Sequence, residues 1–428
     1  MNLEQIAESC LQQLKALGAD DAQVEVSSSI MTESNVEANN INFVRTTHDH
    51  SLSIQAFKDK RKGAVSGNQL DADSIKKLCE AAMQSANSAP QDDGNVLPEG
   101  QGEHSFIGSQ EPKDLDWALS QLDQILQIRK EKYPHAVFGG GVLSHVEGQK
   151  VLFSSKGSRL KSKDSFYTGG AFISGKDGKK SSSFSGTDYE TKKTSTPIYT
   201  QYGFEALMRE AVEQLNVDKL PQKFVGDVVM TPHCMGEFLG FILGYISTQS
   251  LLKKKSFLYG KLGEKVASEK FTLTANPKSP KFVRQLGWTG DGIISQNEPI
   301  FEKGVLKQYL VNQYGAKKLG FDVSKSGGAH VEIQTGDKSL NEMISKIDKG
   351  IIMGRVSAGH PAENGDFSGV AKNAYYVEGG KIKYPLTETM VAGNLAELLK
   401  NVVDISKESI NFGNADLPWV QFKGITIS

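Results

Sequence analysis

Apolar positions change period several times along the chain. Leu3, Ile6, Cys10, Leu14 and Leu17 recur every three or four residues, the spacing of one buried helix face, and Gly18 supplies a stop. Residues 22–26 (AQVEV) and 52–57 (LSIQAF) read as strands, with a third over 63–66 after the turn residues Lys58, Asp59 and Lys60. Asp73 is expected to cap a second helix carrying Ile75, Leu78, Cys79, Ala82 and Met83 on one face. Together these predict a helix–strands–helix domain over residues 1–90. Residues 91–112 lie in a Pro- and Gly-rich stretch without hydrophobic period and read as a linker. A helix follows with Leu115, Leu119, Leu122 and Ile125 on one side. From Ala136 to Thr196 short strands are punctuated by Gly-containing turns, the pattern of a β-meander. Phe204, Leu207, Ala211 and Leu215 restore a helical period and complete a central domain over 113–220.

The third segment, 221–428, opens with a strand over 224–230 and has hairpin punctuation at Gly304 and at Gly379-Gly380. Ser339 and Glu342 have the spacing of a capping box ahead of Leu340, Met343, Ile344 and Ile347, with Gly350 as the stop. Strands and helices mix without steady βαβ alternation. The predicted class is therefore α+β: mixed, mostly antiparallel sheets with flanking helices, an N-terminal α/β portion and a larger β-rich C-terminal domain.

Composition narrows the function classes. Of 428 residues, 38% are hydrophobic and 23% charged, and 49 Lys+Arg against 50 Asp+Glu leave a net charge of −1. No global field draws the chain to nucleic acid or to an anionic membrane. The first residues lack the basic region and apolar core of a signal peptide, and the longest apolar run, residues 238–246, is too short to cross a bilayer. The expected location is cytoplasmic. Three cysteines, Cys10, Cys79 and Cys234, are odd in number and widely spaced, which predicts no disulfide framework and no metal knuckle.

Several local patterns carry little chemistry. Residues 170–176 (GAFISGK) match a phosphate-binding loop up to its lysine, but Asp177 replaces the Ser or Thr that would meet magnesium. Asp177-Gly178 is a hairpin turn, so no helix follows to hold phosphate. His48 and His50 flank Asp49 and would share one strand face, without an identifiable third ligand. His104, His135, His145, His330 and His360 stand alone, and neither G-x-S-x-G nor H-E-x-x-H occurs. Lys253, Lys254 and Lys255 suit a solvated helix C-terminus.

The most informative helix begins at Thr231-Pro232, a cap followed by proline in the first turn. Met235, Phe238, Leu239, Ile242, Tyr245 and Ile246 form a wide apolar face. Gly236, Gly240 and Gly244 line a different stripe, at a cost of roughly 1 kcal/mol each relative to alanine. Close approach of another backbone, either within this chain or from a second subunit, is the expected compensation.

Around this helix the chain resembles the TldD/PmbA (TldE) family, the "modulator of DNA gyrase" metalloproteases. The stretches that carry the resemblance, in order, are SFLYGKLGEKVAS (256–268), TGDG (289–292), GVLKQYLVNQYGAKKLG (304–320), NGDFSGVAKNAYYVEGGKIKYPL (364–386) and VAGNL (391–395). LSIQAFKDKRKGAVSG and LFSSKGSRL match more loosely in the first two segments.

The family's active branch carries an HExxxH zinc motif on this helix and a cysteine ligand near its C-terminus. In register with that motif, Gly240 and Tyr245 stand where the histidines would be and Phe241 where the glutamate would be, and no cysteine follows Cys234. Glycine offers no ligand and phenylalanine accepts no proton, whereas a zinc hydrolase needs about three protein ligands and a base. His233 and Cys234 are adjacent, so on a helix they point about 100° apart. Glu237 is a base only beside a metal. No catalytic or metal-binding residue is therefore assigned to this chain.

The resemblance thus implies a PmbA/TldE-like, non-catalytic subunit that completes the enclosure of unfolded peptide substrates. Zinc would be supplied by a TldD-like partner, in a family associated with peptide-antibiotic maturation and antitoxin turnover. Strand addition at an exposed edge, expected among the third-segment hairpins, would grip an extended peptide. Two rivals are a peptide-binding homodimer and a gyrase or nucleic-acid modulator. The neutral charge and the absence of aromatic–basic alternation disfavour the second.

Overall fold

The computed structural model describes residues 2–428. The first half of the chain runs α1 (Leu3–Ala16), β1 (Asp21–Glu37), β2 (Asn40–Lys58), β3 (Arg61–Gly67), α2 (Ala72–Ser88), β4 (Glu103–Gln110), α3 (Leu115–Lys132), β5 (Ala136–Ser154), β6 (Arg159–Asp177), β7 (Lys180–Ser181), β8 (Ser185–Thr191) and α4 (Phe204–Glu213). The second half runs β9 (Phe224–Met230), α5 (Pro232–Tyr245), α6 (Thr248–Leu252), β10 (Leu273–Ala275), β11 (Glu298–Glu302), β12 (Val305–Leu306), α7 (Gln313–Leu319), β13 (Val331–Ile333) and α8 (Leu340–Ile344). It ends with β14 (Lys349–Ala358), β15 (Asp366–Glu378), β16 (Lys381–Leu386), β17 (Thr389–Asn394), α9 (Leu395–Lys400), β18 (Val402–Asn411) and β19 (Asp416–Ile427). The architecture is α+β with two mixed, mostly antiparallel sheets, as the hydrophobic pattern predicts.

The first sheet has the order β3-β2-β1-β5-β6-β4, with β7 and β8 also on β6. Both hairpin turns near its start use two consecutive residues of positive φ: Ala38 and Asn39 (47° and 67°), then Asp59 and Lys60 (49° and 60°). That twist matches the right-handed twist of the strands they join. Because β1 pairs with β5, residues 1–90 and 113–220 share this sheet. The expected linker is only partly irregular. Its residues 103–110 form β4, which runs parallel to the first half of β6. The cap of α2 is Asp71, whose carboxylate accepts the Ser74 N–H at 3.0 Å; Asp73, expected in that role, sits in the first turn. Residues 170–176, the phosphate-loop lookalike, lie inside β6 and end in the turn to β7.

The second sheet has the order β12-β11-β10-β13-β19-β17-β15-β14-β9, and β9 also pairs with β19. Strands β9, β14, β15, β17 and β19 thereby close into a ring, which leaves none of the five with two free edges. Helix α5 lies against β19 and β14 and contributes Met235, Phe238, Leu239 and Ile242 to the main hydrophobic core. Among the described residues no helix is long and apolar enough to cross a membrane.

Candidate functional site

The strand-to-helix junction β9–α5 fixes the wall of a cleft. Thr231 ends β9 with its N–H on the Met353 carbonyl (3.1 Å), and its hydroxyl accepts the Cys234 N–H (3.3 Å). Pro232 then starts the helix at a position where a missing N–H costs nothing. The apolar face of α5 turns inward. Its other face, with Gly236, Glu237, Gly240 and Gly244 exposed, borders a cleft of about 1090 Å³. The opposite wall comes from α6 and its C-terminal lysines and from the loop between β14 and β15, with His360 and Glu363.

The glycine stripe does not pack inside the chain. A Cβ added at Gly240 or Gly244 would meet nothing within 4 Å, and one at Gly236 only an ordinary contact with Leu417 at 3.5 Å. Of the two expected compensations, close packing within this chain is therefore ruled out.

The three positions in register with the zinc motif have other tasks. Gly240 is bare cleft wall. Phe241 meets the His360 ring edge-on, with centroids 6.1 Å apart. The Tyr245 hydroxyl donates to the Ala362 carbonyl at 2.5 Å and its ring leans on Phe257, tying the β14–β15 loop to the helix. Glu237 Oε2 accepts the Val356 N–H at 3.2 Å. Protein bulk around Glu237 desolvates the carboxyl and raises its pKa, against the opposing effects of that bond and of Arg355. Glu363 is paired with Lys255.

Among the described residues no three His, Cys, Asp or Glu side chains converge as a ligand set. The donors at this wall are two separated carboxylates and one imidazole, two of them already engaged with this chain's own groups. They do not fit the three-ligand, open-position geometry of a catalytic zinc.

The other candidates are scattered. His233 points away from the cleft, with Nε2 3.3 Å from the Tyr202 carbonyl and its ring edge-on to Phe412; burial lowers its pKa to about 4. Cys234 is fully buried, and desolvation holds its thiol well above its usual range. His48 is exposed on β2, and His145 is buried with Nε2 2.8 Å from the Glu111 carbonyl. His330 lies against Phe282 at 5.3 Å. Sequence reasoning missed the second wall of the cleft. The only signal for it was a loop, SAGHPAENGD, bracketed by Gly359 and Gly365. It also missed that Cys10 and Cys79, far apart in sequence, are buried in one core.

Two family models match this chain. Residues 223–428 match the PmbA/TldA metallopeptidase C-terminal domain and residues 22–86 match the PmbA/TldA metallopeptidase domain 1, together more than half of the sequence. The chain belongs to the PmbA/TldD metallopeptidase family. It is 26% identical to a metalloprotease PmbA homolog of Haemophilus influenzae, over 87% of this chain and 83% of that protein. It is 24% identical to metalloprotease PmbA of Escherichia coli O157:H7, over 95% and 93%. Its fold is similar to TldE from Thermococcus kodakarensis, with a TM-score of 0.82, 23% identity and coverage of 99% of this chain and 100% of that one. It is also similar to a Bacteroides thetaiotaomicron protein described as a candidate modulator of DNA gyrase, with a TM-score of 0.85, 22% identity and coverage of 99% and 98%. Within the PmbA/TldD fold of this chain, the α5 cleft is the wall where the sequence resemblance places a metal motif, and here that wall is glycine and aromatic.

Proposed function

We propose that this chain is a non-catalytic subunit of a PmbA/TldD-type metalloprotease, working in the cytoplasm and enclosing unfolded peptides while a zinc-carrying relative cleaves them. One observation carries the reading: the α5 wall presents Gly240, Phe241 and Tyr245 to a cleft of about 1090 Å³, and no donor set for zinc forms among the described residues. Bare glycine lets a peptide backbone approach the helix closely, and the aromatic groups give apolar contact without demanding a sequence. Three measurements test it together: elemental analysis of the purified chain, mixing with a zinc-carrying relative, and a peptide-cleavage assay of each alone and combined. Cleavage that needs both chains, with zinc bound only by the relative, is the expected result. Zinc-dependent cleavage by this chain alone overturns the proposal.

A homodimeric peptide binder is the second reading, favoured by one feature. Residues 40–51 of β2 pair with β1 on one side, whereas β3 covers only residues 52–58 on the other. Their outward N–H and C=O groups are a template for a strand from a second copy. The third-segment edges, expected to play that part, are shorter: β12 has two residues and β16 has six. A stable homodimer that falls apart on Val44→Lys with Thr46→Lys would favour this reading over the first.

A further inference from the structure

We infer that Arg355, with the rings of Phe184 and Phe172, forms a pocket for a carboxylate of a bound peptide beside the α5 cleft. The inference rests on the reading of this chain as one that encloses peptides, and it names the group by which a peptide is held. Arg355 lies in β14 beyond Met353, the last residue that β9 pairs. The next N–H along the strand, that of Val356, donates to Glu237 Oε2 at 3.2 Å, and Glu237 borders the cleft. From there the Arg355 side chain reaches the segment between β7 and β8. Its Nη2 donates to the Ser183 hydroxyl at 3.3 Å, and its Cζ lies 4.2 Å from the centre of the Phe184 ring.

This guanidinium is unpaired. Its partner across the ladder, on β15, is Lys372, so two cations stand directly opposite each other, an arrangement that costs stability. Lys372 has a carboxylate of its own, Glu388. Among the described residues Arg355 has none: Ser183 is its one side-chain partner, and its Nε is buried without an acceptor. The two Nη atoms are left as an end-on fork of the shape a carboxylate fits. The rings beside it are equally uncovered. Phe184 is 49% exposed and Phe172 is 56% exposed, and they meet edge to face with centroids 5.9 Å apart. Phe172 is fixed within β6, and the Phe184 carbonyl accepts the Asn373 Nδ2 at 3.3 Å, so both rings sit on an anchored backbone. One uncompensated cation beside two open rings matches a single negative charge with an apolar neighbour. A peptide offers that as its C-terminal carboxylate or as an Asp or Glu side chain, whereas a phosphate dianion would leave charge unbalanced.

The experiment titrates the full chain with a fluorescent unfolded apolar peptide in three forms: amidated and uncharged, with a free C-terminus, and amidated with one internal Glu. A carboxylate form should bind about tenfold tighter than the uncharged one. Which form gains tells the C-terminal carboxylate from the side chain. Arg355→Gln should bring the ratio to about one, and Arg355→Lys should restore only part of it, because an ammonium has no fork. The urea midpoint of Arg355→Gln should hold or rise, since a cation opposite Lys372 is removed. If Arg355→Gln fails to fold, Arg355→Lys and Phe184→Ala, which removes an exposed ring, carry the comparison. If no peptide form binds, the peptide-enclosing reading fails, and N-acetylphenylalanine against its amide, followed by calorimetry, still tests the pocket. The inference is overturned if acid and amide bind alike in the wild type, or if the preference survives Arg355→Gln. It is also overturned if that change lowers the midpoint or weakens association with a zinc-carrying relative while the preference stays, which would make Arg355 a structural or subunit-contact residue.

Discussion

Arg284 holds Glu190 with both Nε and Nη2, at 3.0 Å and 2.5 Å, and so ties the loop after β10 to β8 of the first sheet. The Glu190 side chain is only 7% exposed, and the guanidinium lies over Phe166 at 4.3 Å. Next to the pair, the Glu190 N–H donates to the Phe412 carbonyl at 2.8 Å. Gly413 is packed so closely there that a Cβ would stand 2.0 Å from the Glu190 carbonyl. The two halves of the molecule are thus joined by a doubly bonded charge pair whose carboxylate is buried and whose guanidinium is partly exposed. Removing one partner strands the other, so Glu190→Ala should cost about 3 kcal/mol. Replacing both, as Glu190→Leu with Arg284→Met, should cost less than the single change. Urea denaturation of the three variants checks this, and a double variant worse than Glu190→Ala would refute it.

The pair illustrates what the sequence conceals. Glu190 and Arg284 belong to segments that read as separate domains, and nothing in the spacing of either announces the other. Local signals fared better. The Thr231-Pro232 start of α5 and the Ser339–Glu342 capping box both appear where the sequence places them, because a cap is chemistry between near neighbours. Strand lengths did not. β1 and β2 reach 17 and 19 residues, yet only 22–26 and 52–57 alternate visibly. The outer half of β2 stands largely in solvent and needs no apolar period, and that of β1 buries the polar side chains of Thr32, Glu33 and Ser34, which show none. β4 was hidden for the same reason, with Ile107 at 77% exposure. The motif positions of the α5 cleft were legible from resemblance, but the loop that faces them was not, because loops carry no period at all.

Two buried titratable groups should shape stability in opposite directions below neutral pH. His233 has its pKa lowered to about 4 from an ordinary 6.5, so between these values the unfolded chain binds more protons than the native one. Stability from this site is complete above about pH 6.5 and falls as pH drops toward 4, by about 3 kcal/mol in all. Glu210 has its pKa raised to about 7 by burial, so its native state binds the extra proton. Its contribution is complete below about pH 4.5 and is lost as pH rises through 7. His233→Gln, which keeps a donor for the Tyr202 carbonyl, should flatten the acid side of the wild-type profile. Glu210→Gln should stabilise at pH 8 and do nothing at pH 4. Denaturation midpoints measured from pH 4 to pH 8 would show either variant tracking the wild type if these assignments are mistaken.

The Tyr245 hydroxyl is the direct tie between α5 and the Ala362 carbonyl of the loop across the cleft. Tyr245→Phe keeps the ring on Phe257 and deletes one hydrogen bond, so it should cost about 1 kcal/mol. The loss should be local: amide exchange and proteolysis should accelerate over residues 359–365 while the β14 and β15 ladder keeps its protection. Equal acceleration throughout the second sheet would mean that the phenol supports the fold and not the loop.

The glycine stripe separates stability from function. Glycine inside a helix is costly, and at Gly240 the space for a side chain is open, so this fold gains nothing from its absence. Gly240→Ala should therefore stabilise the isolated chain by about 0.5–1 kcal/mol. If the bare wall exists so that a peptide backbone can lie against α5, the same change should weaken capture of an unfolded peptide, and Gly240→Leu should weaken it further while leaving the fold intact. A urea midpoint and a titration with a fluorescent unfolded peptide, run on the same three proteins, read the two effects apart. A stabilised Gly240→Ala with undiminished peptide binding would remove the cleft from the proposed function, and a destabilised one would show that the helix, not the ligand, needs the glycine.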